Sequence, residues 1–234
     1  MCERLKTVMK KIFQFIFIIL MILGSLTLAR CGKPEEPEPE NNTVTDYDGN
    51  VYPTVKIFTN VWMAENLRTS RLNDGKTIVL VPDDWNWDFL EEPKRCYYNN
   101  DGQLYRNIYG HLYNYYAVSS GKLCPVGWHM PTKQEWGTLI GYLGGFNAAG
   151  GKSKESGTSH WTSPNTGADN SSGFTALPGG YRTDDGLYRQ VGYTGLWWCA
   201  SVHDVVQMTY NSSSASFLWV YEEYGASVRC VKNN

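Results

Sequence analysis

The stretch that most narrows what this chain can fold into runs from Cys124 to Gly145, CPVGWHMPTKQEWGTLIGYLGG, because it specifies the start, the buried face and the end of one helix. Thr132 followed three residues later by Glu135 is a capping box, in which each side chain satisfies a backbone donor left open at a helix start. Pro131 stands just outside, where no helical N–H is needed. Trp136, Leu139, Ile140 and Leu143 recur at the spacing of a single apolar helix face. Gly144 and Gly145 follow at once and supply the positive φ angles that end helices. Such a face must be covered, so the rest of the chain has to provide a partner layer.

The N-terminus does not belong to that layer. Lys10 and Lys11 precede a nearly unbroken apolar run from Ile12 to Ala29, and the run ends at Cys31. A basic region, an apolar region and small residues before a cysteine predict a secretory signal over residues 1–30, although the run's length also approaches that of a membrane span. Met1 to Val8 has the character of an upstream start, with Met9 as initiator. Leu28-Ala29-Arg30-Cys31 resembles the lipobox of bacterial lipoproteins, departing from it at Arg30, which marks Cys31 as the lipid anchor. Residues 31–43 include KPEEPEPE, a Pro/Glu segment that cannot bury apolar surface and reads as a tether. The folded domain is expected over residues 44–234.

From Asn41 onward the chain carries 15 Lys plus Arg against 18 Asp plus Glu, with no cationic run. Phosphate neutralisation needs clustered cations, so nucleic acid is not expected as a partner. The aromatic load is the stronger signal: 16 Tyr, 9 Trp and 8 Phe, of which only Phe13, Phe15 and Phe17 fall in the signal segment, stand among many Gly and Asn and suit an extracellular β-rich domain. Most of these rings should be core, and the remainder suit a surface that stacks on sugar faces. Cys96, Cys124, Cys199 and Cys230 remain in the domain and allow three disulfide connectivities. Their spacing does not match a zinc site, and no cofactor is implied.

In chain order, Val44–Tyr47 and Val51–Val55 flank Asp48-Gly49-Asn50 as a hairpin, and KIFTNVWM continues as a second strand after a turn at Thr59-Asn60. Thr77 to Val81 is a β-branched run. Pro82 to Pro93 reads as a loop carrying Trp85, Trp87 and Phe89. Asn99-Asn100-Asp101-Gly102 has oxygen ligands suited to calcium but lacks the spacing of a calcium loop, so a turn is expected. Tyr109 to Val118 reads as a first helix, with His111 partly exposed on it. Phe146 to Phe174 reads as a long structureless excursion pinned by Trp161 and Phe174. Short strands then follow to Lys232, and strands, two central helices and a late meander together make an α+β domain with two helices packed on short antiparallel sheets.

Nine words carry a resemblance: DGNVY (48–52), WMAENL (62–67), YNNDG (98–102), YGHLYNYYAV (109–118), GKLCPVGWHMPTKQEW (121–136), YLGG (142–145), SGFTALPGGYR (172–182), GYTGLWWCAS (192–201) and SVRCVK (227–232). They resemble the Fibrobacter succinogenes major paralogous domain family across almost the whole domain, departing at Cys199, where the family has Ser. The order of helices, GGYR, WW and a terminal RCV strand is also similar to C-type-lectin-like domains and the formylglycine-generating-enzyme fold. That resemblance implies a Cys124–Cys230 disulfide, with Cys96 and Cys199 left over. It further implies an exported bacterial protein at the outer membrane or cell surface, touching the membrane through its lipid anchor only.

The first functional expectation is a binding or adhesion module for polysaccharide or a surface protein. Its ligand residues are expected on the long loop and the GGYR turn: Trp161, Asn165, Asp169, Asn170, Asp184, Asp185, Tyr188 and Tyr193. A structural envelope or pilus component is the alternative. An enzyme is not expected, since the carboxylates sit mostly in turns and Cys199 is the one candidate for formylglycine-type chemistry.

Overall fold

The computed structural model describes residues 42–82, 87 and 91–233. The expected signal segment, the Cys31 anchor, nearly all of the tether, Trp85 and Phe89 lie outside the described residues. Strands β1 (Thr43–Thr45), β2 (Val51–Ile57), β3 (Asn60–Met63), β4 (Val79–Leu80) and β5 (Lys94–Cys96) precede helix α1 (Gly102–Tyr109), β6 (Leu112–Tyr113), α2 (Tyr115–Ser119) and β7 (Trp128–His129). Helices α3 (Lys133–Tyr142) and α4 (Phe146–Ser153) are followed by β8 (Gly179–Arg182), β9 (Tyr188–Val191), β10 (Thr194–Trp198), β11 (Asp204–Thr209), β12 (Ala215–Trp219) and β13 (Val231–Lys232). The result is a mixed α+β domain.

Two five-stranded sheets run in the orders β1-β2-β3-β13-β7 and β12-β11-β10-β8-β9, and β4-β5-β6 make a third. Most pairs are antiparallel, as expected, but β4 runs parallel to β5 and β10 parallel to β8. All five residues of β10 are buried, and strand alternation sends them to two different cores. Leu196 and Trp198 enter a cluster with Tyr52, Met63, Tyr113, Cys124 and Cys230. Trp197 and Cys199 enter the other, with Trp62, Phe174, Val206 and Val231.

Helix α3 covers the second core as its sequence requires. Thr132 Oγ1 accepts from Glu135 N at 3.2 Å while Glu135 Oε2 accepts from Thr132 N at 2.8 Å, closing the capping box. Trp136, Leu139, Ile140 and Leu143 are buried against the meander and the first sheet, with the Trp62 and Trp136 rings 4.8 Å apart.

The expected first helix is broken into three elements. Asp101 caps α1 through Leu104 N, and α1 ends at Gly110, whose φ is 76°. A side chain there would meet Leu67 O at 2.6 Å, and His111 N donates to the same carbonyl, so the chain leaves the helix to dock on the first sheet. Tyr113 then exchanges both backbone hydrogen bonds with Ala226, which overrides local helical preference. His111 is accordingly buried, not partly exposed: its Nδ1 lies 3.1 Å from Thr69 O. Burial, with the Arg95 and Arg106 charges nearby, pushes its imidazole down to about 3.

The excursion from Phe146 begins as helix α4. Gly150 and Gly151 press so closely on the Ser213–Ser214 and Gly167 backbones that no Cβ fits, so packing demands the residues that weaken a helical pattern. Lys154, fully buried at the end of this helix, donates to Thr166 O, Thr209 O and Ser212 O within 3.1 Å and thereby ties the remaining loop to the meander. Trp161 and Phe174 do pin the segment, at 1% and 0% exposure.

A buried polar node joins segments far apart in sequence. Asn66 Oδ1 accepts from Trp197 Nε1 and Arg229 Nε, each at 2.9 Å, while its Nδ2 donates to Tyr109 O at 2.9 Å and Ser227 Oγ at 3.2 Å. The Arg229 guanidinium is fully buried, lies 4.2 Å from the Phe174 ring centre and donates to Phe174 O and Thr175 O. WMAENL, YGHLYNYYAV, SGFTALPGGYR, GYTGLWWCAS and SVRCVK each contribute one or more of these groups.

Candidate functional site

A cluster of half-buried and exposed tyrosines lies where β9 meets the YNNDG turn. Asn99 and Asn100 both take left-handed conformations, φ 51° and 57°, and this turn lays Tyr98 across Gly180. A Cβ on Gly180 would stand 2.7 Å from the Tyr98 ring and 2.5 Å from Arg189 O, so the glycine makes the crossing possible. Tyr98 then sits between Tyr105 and Tyr188, with ring centres 5.3 and 5.4 Å away, and Tyr188 Oη donates to Asn100 Oδ1 at 2.6 Å. On the other side Tyr193 and Tyr210 meet edge to face at 5.2 Å.

Tyr98, Gln190, Val191, Tyr193 and Tyr210 line an open groove of about 520 Å³. The long loop supports its floor, because Thr162 N donates to Gly192 O and Thr166 N to Tyr210 O, both at 2.8 Å. The groove presents ring faces, phenol hydroxyls and one carboxamide. These groups are suited to stacking and hydrogen bonding.

Of the eight expected ligand residues, only Tyr193 lines this groove; Tyr188 stands behind it, packed on Tyr98 and bonded to Asn100. Trp161 is buried and donates to Ala176 O at 2.9 Å, so its faces are not open to a sugar. Asn165 is also buried, with Nδ2 donating to Glu155 O and Gly157 O. Asp169 closes its own turn by accepting from Ser171 N, and Asn170 does so through Thr175. Asp184 and Asp185 stand in the β8–β9 turn, where Asp185 accepts from Thr183 Oγ1 and Leu187 N. Tyr98 and Tyr210 were not singled out by sequence reasoning. Their one signal there is the tyrosine density, since local spacing does not relate positions so far apart.

Cys124 and Cys230 are bonded, with Cα atoms 5.9 Å apart, and Cys96 and Cys199 are free and buried. Burial, aided at Cys199 by the Asp204 charge, pushes the two thiols up to about 11 and about 12 respectively. Both are therefore neutral at pH 7, and the thiolate is the nucleophile. Iodoacetamide at pH 7.5 should label neither in the native protein and both in urea; rapid native labelling of Cys199, read by mass spectrometry, would restore it as a reactive group. Among the described residues no set of three or more His, Cys, Asp or Glu side chains gathers to hold a metal. The Asn99–Asp101 cluster is a turn and a helix cap, as its sequence predicts.

A family model described as the Fibrobacter succinogenes major domain matches residues 55–232. No curated protein and no solved structure matches the chain.

Proposed function

This chain belongs to the Fibrobacter succinogenes major domain family, and from that membership we propose an exported, lipid-anchored binding module of the bacterial outer surface whose tyrosine groove holds a polysaccharide. The observation that carries the reading is the groove itself. Tyr193 is 43% exposed, and it lies with Tyr98 and Tyr210 around one concave surface. Exposed rings grouped in a concavity mark a binding site more often than rings scattered singly. Sugars match such a lining because their C–H faces stack on rings while their hydroxyls bond to phenol oxygens. The Cys31 anchor and the Pro/Glu tether would hold the domain away from the membrane. A C-type-lectin-like architecture is part of the proposal, supported by a disulfide from the lead-in of α3 to the final strand.

The purified full-length chain should be retained on at least one glycan of an array or on an insoluble polysaccharide. Tyr193→Ala with Tyr210→Ala should weaken that retention by on the order of tenfold or more, since each lost ring contact is worth about 0.5–1.5 kcal/mol. Absence of retention on every glycan tested counts against the reading.

A structural envelope or pilus component is the second reading, favoured by β12. This strand ends its sheet and exposes Leu218 and Trp219, with Tyr221 just beyond, an edge suited to a protein partner. Cross-linking on intact cells separates the two, because assembly requires a specific protein adduct through β12.

A further inference from the structure

Beside the first turn of α1 stands a cationic cluster that does not line the groove. Arg95 on β5 is 9% exposed, and its Nη1 donates to Tyr97 Oη at 3.3 Å with the guanidinium carbon 5.9 Å from the ring centre. The Tyr97 ring packs against Gly102, where a Cβ would come within 2.8 Å of it. Arg106 lies one helical turn beyond Gly102 on the same face of α1, so it is directed to the same side. His111 completes the group, its ring 4.9 Å from Tyr97 at 75°.

The hydrogen-bonding in this cluster is incomplete. Nε of Arg95 and Nε of Arg106 are both buried donors without a partner. Neither arginine has a carboxylate within ion-pair distance among the described residues. Asp48, whose charge reaches His111, is already engaged by Ser70 N, Ser70 Oγ and Arg71. His111 adds no positive charge, because burial and the neighbouring Arg95 and Arg106 charges keep its ring neutral, with Nδ1 donating to Thr69 O. A buried Arg95 guanidinium and a half-buried Arg106 with its Nε shielded, neither with a counter-charge, are costly, and an anion offsets that cost. Arginine forks suit the paired oxygens of carboxylate, sulfate and phosphate.

We propose that Arg95 and Arg106, arranged around Tyr97 and beside His111, form an oxyanion-binding site, taking either the acidic group of a sugar or a free inorganic oxyanion. The site stands independently of the groove: a chain that binds no neutral glycan can still bind the anion.

Isothermal titration of the full-length chain with sodium glucuronate, sodium sulfate and sodium phosphate, each against sodium chloride at matched ionic strength, tests it. At least one oxyanion should bind saturably, chloride should not, and the His111 ring resonances should shift on binding. Arg106→Gln should weaken binding at least tenfold with an unchanged circular dichroism spectrum, whereas Lys232→Gln, which removes an exposed cation elsewhere, should bind as the wild type does. Preference for glucuronate identifies an acidic sugar as the source, and preference for sulfate or phosphate identifies an inorganic anion; either outcome upholds the site. Absence of saturable binding by all three, or wild-type affinity in Arg106→Gln, overturns it.

Discussion

Asn66→Ala should destabilise the domain by about 3–5 kcal/mol, among the largest effects of any single substitution in this chain. The side chain makes four hydrogen bonds, two as acceptor and two as donor, and all are buried. Truncation leaves Trp197 Nε1, Arg229 Nε and Tyr109 O to find other partners where water is excluded. Each buried group left unpaired costs about 1–3 kcal/mol, and more when it belongs to a charged guanidinium. The losses overlap, because one relaxed cavity or one admitted water relieves several groups at once, so the total falls below the sum. Urea denaturation followed by tryptophan fluorescence measures it. A change under about 1 kcal/mol would show that the node is incidental to stability. Asn66→Asp should be milder than Ala in one respect, since a carboxylate still accepts from Arg229 and Trp197, but it loses both donations from Nδ2.

This node gives the words that carry the family resemblance a physical content. WMAENL supplies the amide, SVRCVK the guanidinium, GYTGLWWCAS the indole and SGFTALPGGYR the ring and carbonyls on which the guanidinium rests. Those words hold the scaffold. In the proposed reading, ligand contact falls instead to residues that the scaffold brings to the surface.

Helix α3 was legible because its signals are local: cap, apolar spacing and terminal glycines all lie within one short stretch, and each acts on its own neighbours. The Asp48-Gly49-Asn50 hairpin was legible for the same reason. Helix α4 was hidden because Gly150 and Gly151 answer to Ser213, Ser214 and Gly167, contacts that local periodicity does not encode. Tyr109–Val118 misled in the opposite sense, since Tyr113 follows Ala226 across the sheet despite a helical pattern. The site shows both faults. Trp161, expected both to pin the long loop and to meet ligand, does the first, its indole closing the core beside Lys154. Tyr98 gained its place through two left-handed asparagines and a glycine in another strand.

Removal of the Cys124–Cys230 bond should lower stability by about 4–5 kcal/mol. The bond spans 106 residues, and closing a loop of that length removes much of the unfolded chain's freedom, a gain that grows only slowly with length. It ties the lead-in of α3 to the residue before β13, and Met63 N donates to Cys230 O at 3.1 Å beside it. Both sulfurs lie in the first core, so Cys124→Ala with Cys230→Ala avoids placing hydroxyls there. In a domain of this size the loss corresponds to a fall in Tm on the order of 10–15 °C. Reduction of the wild type offers a second route to the same state, since Cys124 also lines a cleft of about 320 Å³ with His129 and Met130 through which a small thiol can approach. The two routes should agree within about 1 kcal/mol, because Cys96 and Cys199 are already free. If the alanine variant falls much further than the reduced protein, the excess measures packing lost with the sulfurs. If neither falls by more than about 1 kcal/mol, loop closure is not what the bond contributes, and residual structure in the unfolded chain already holds these ends together.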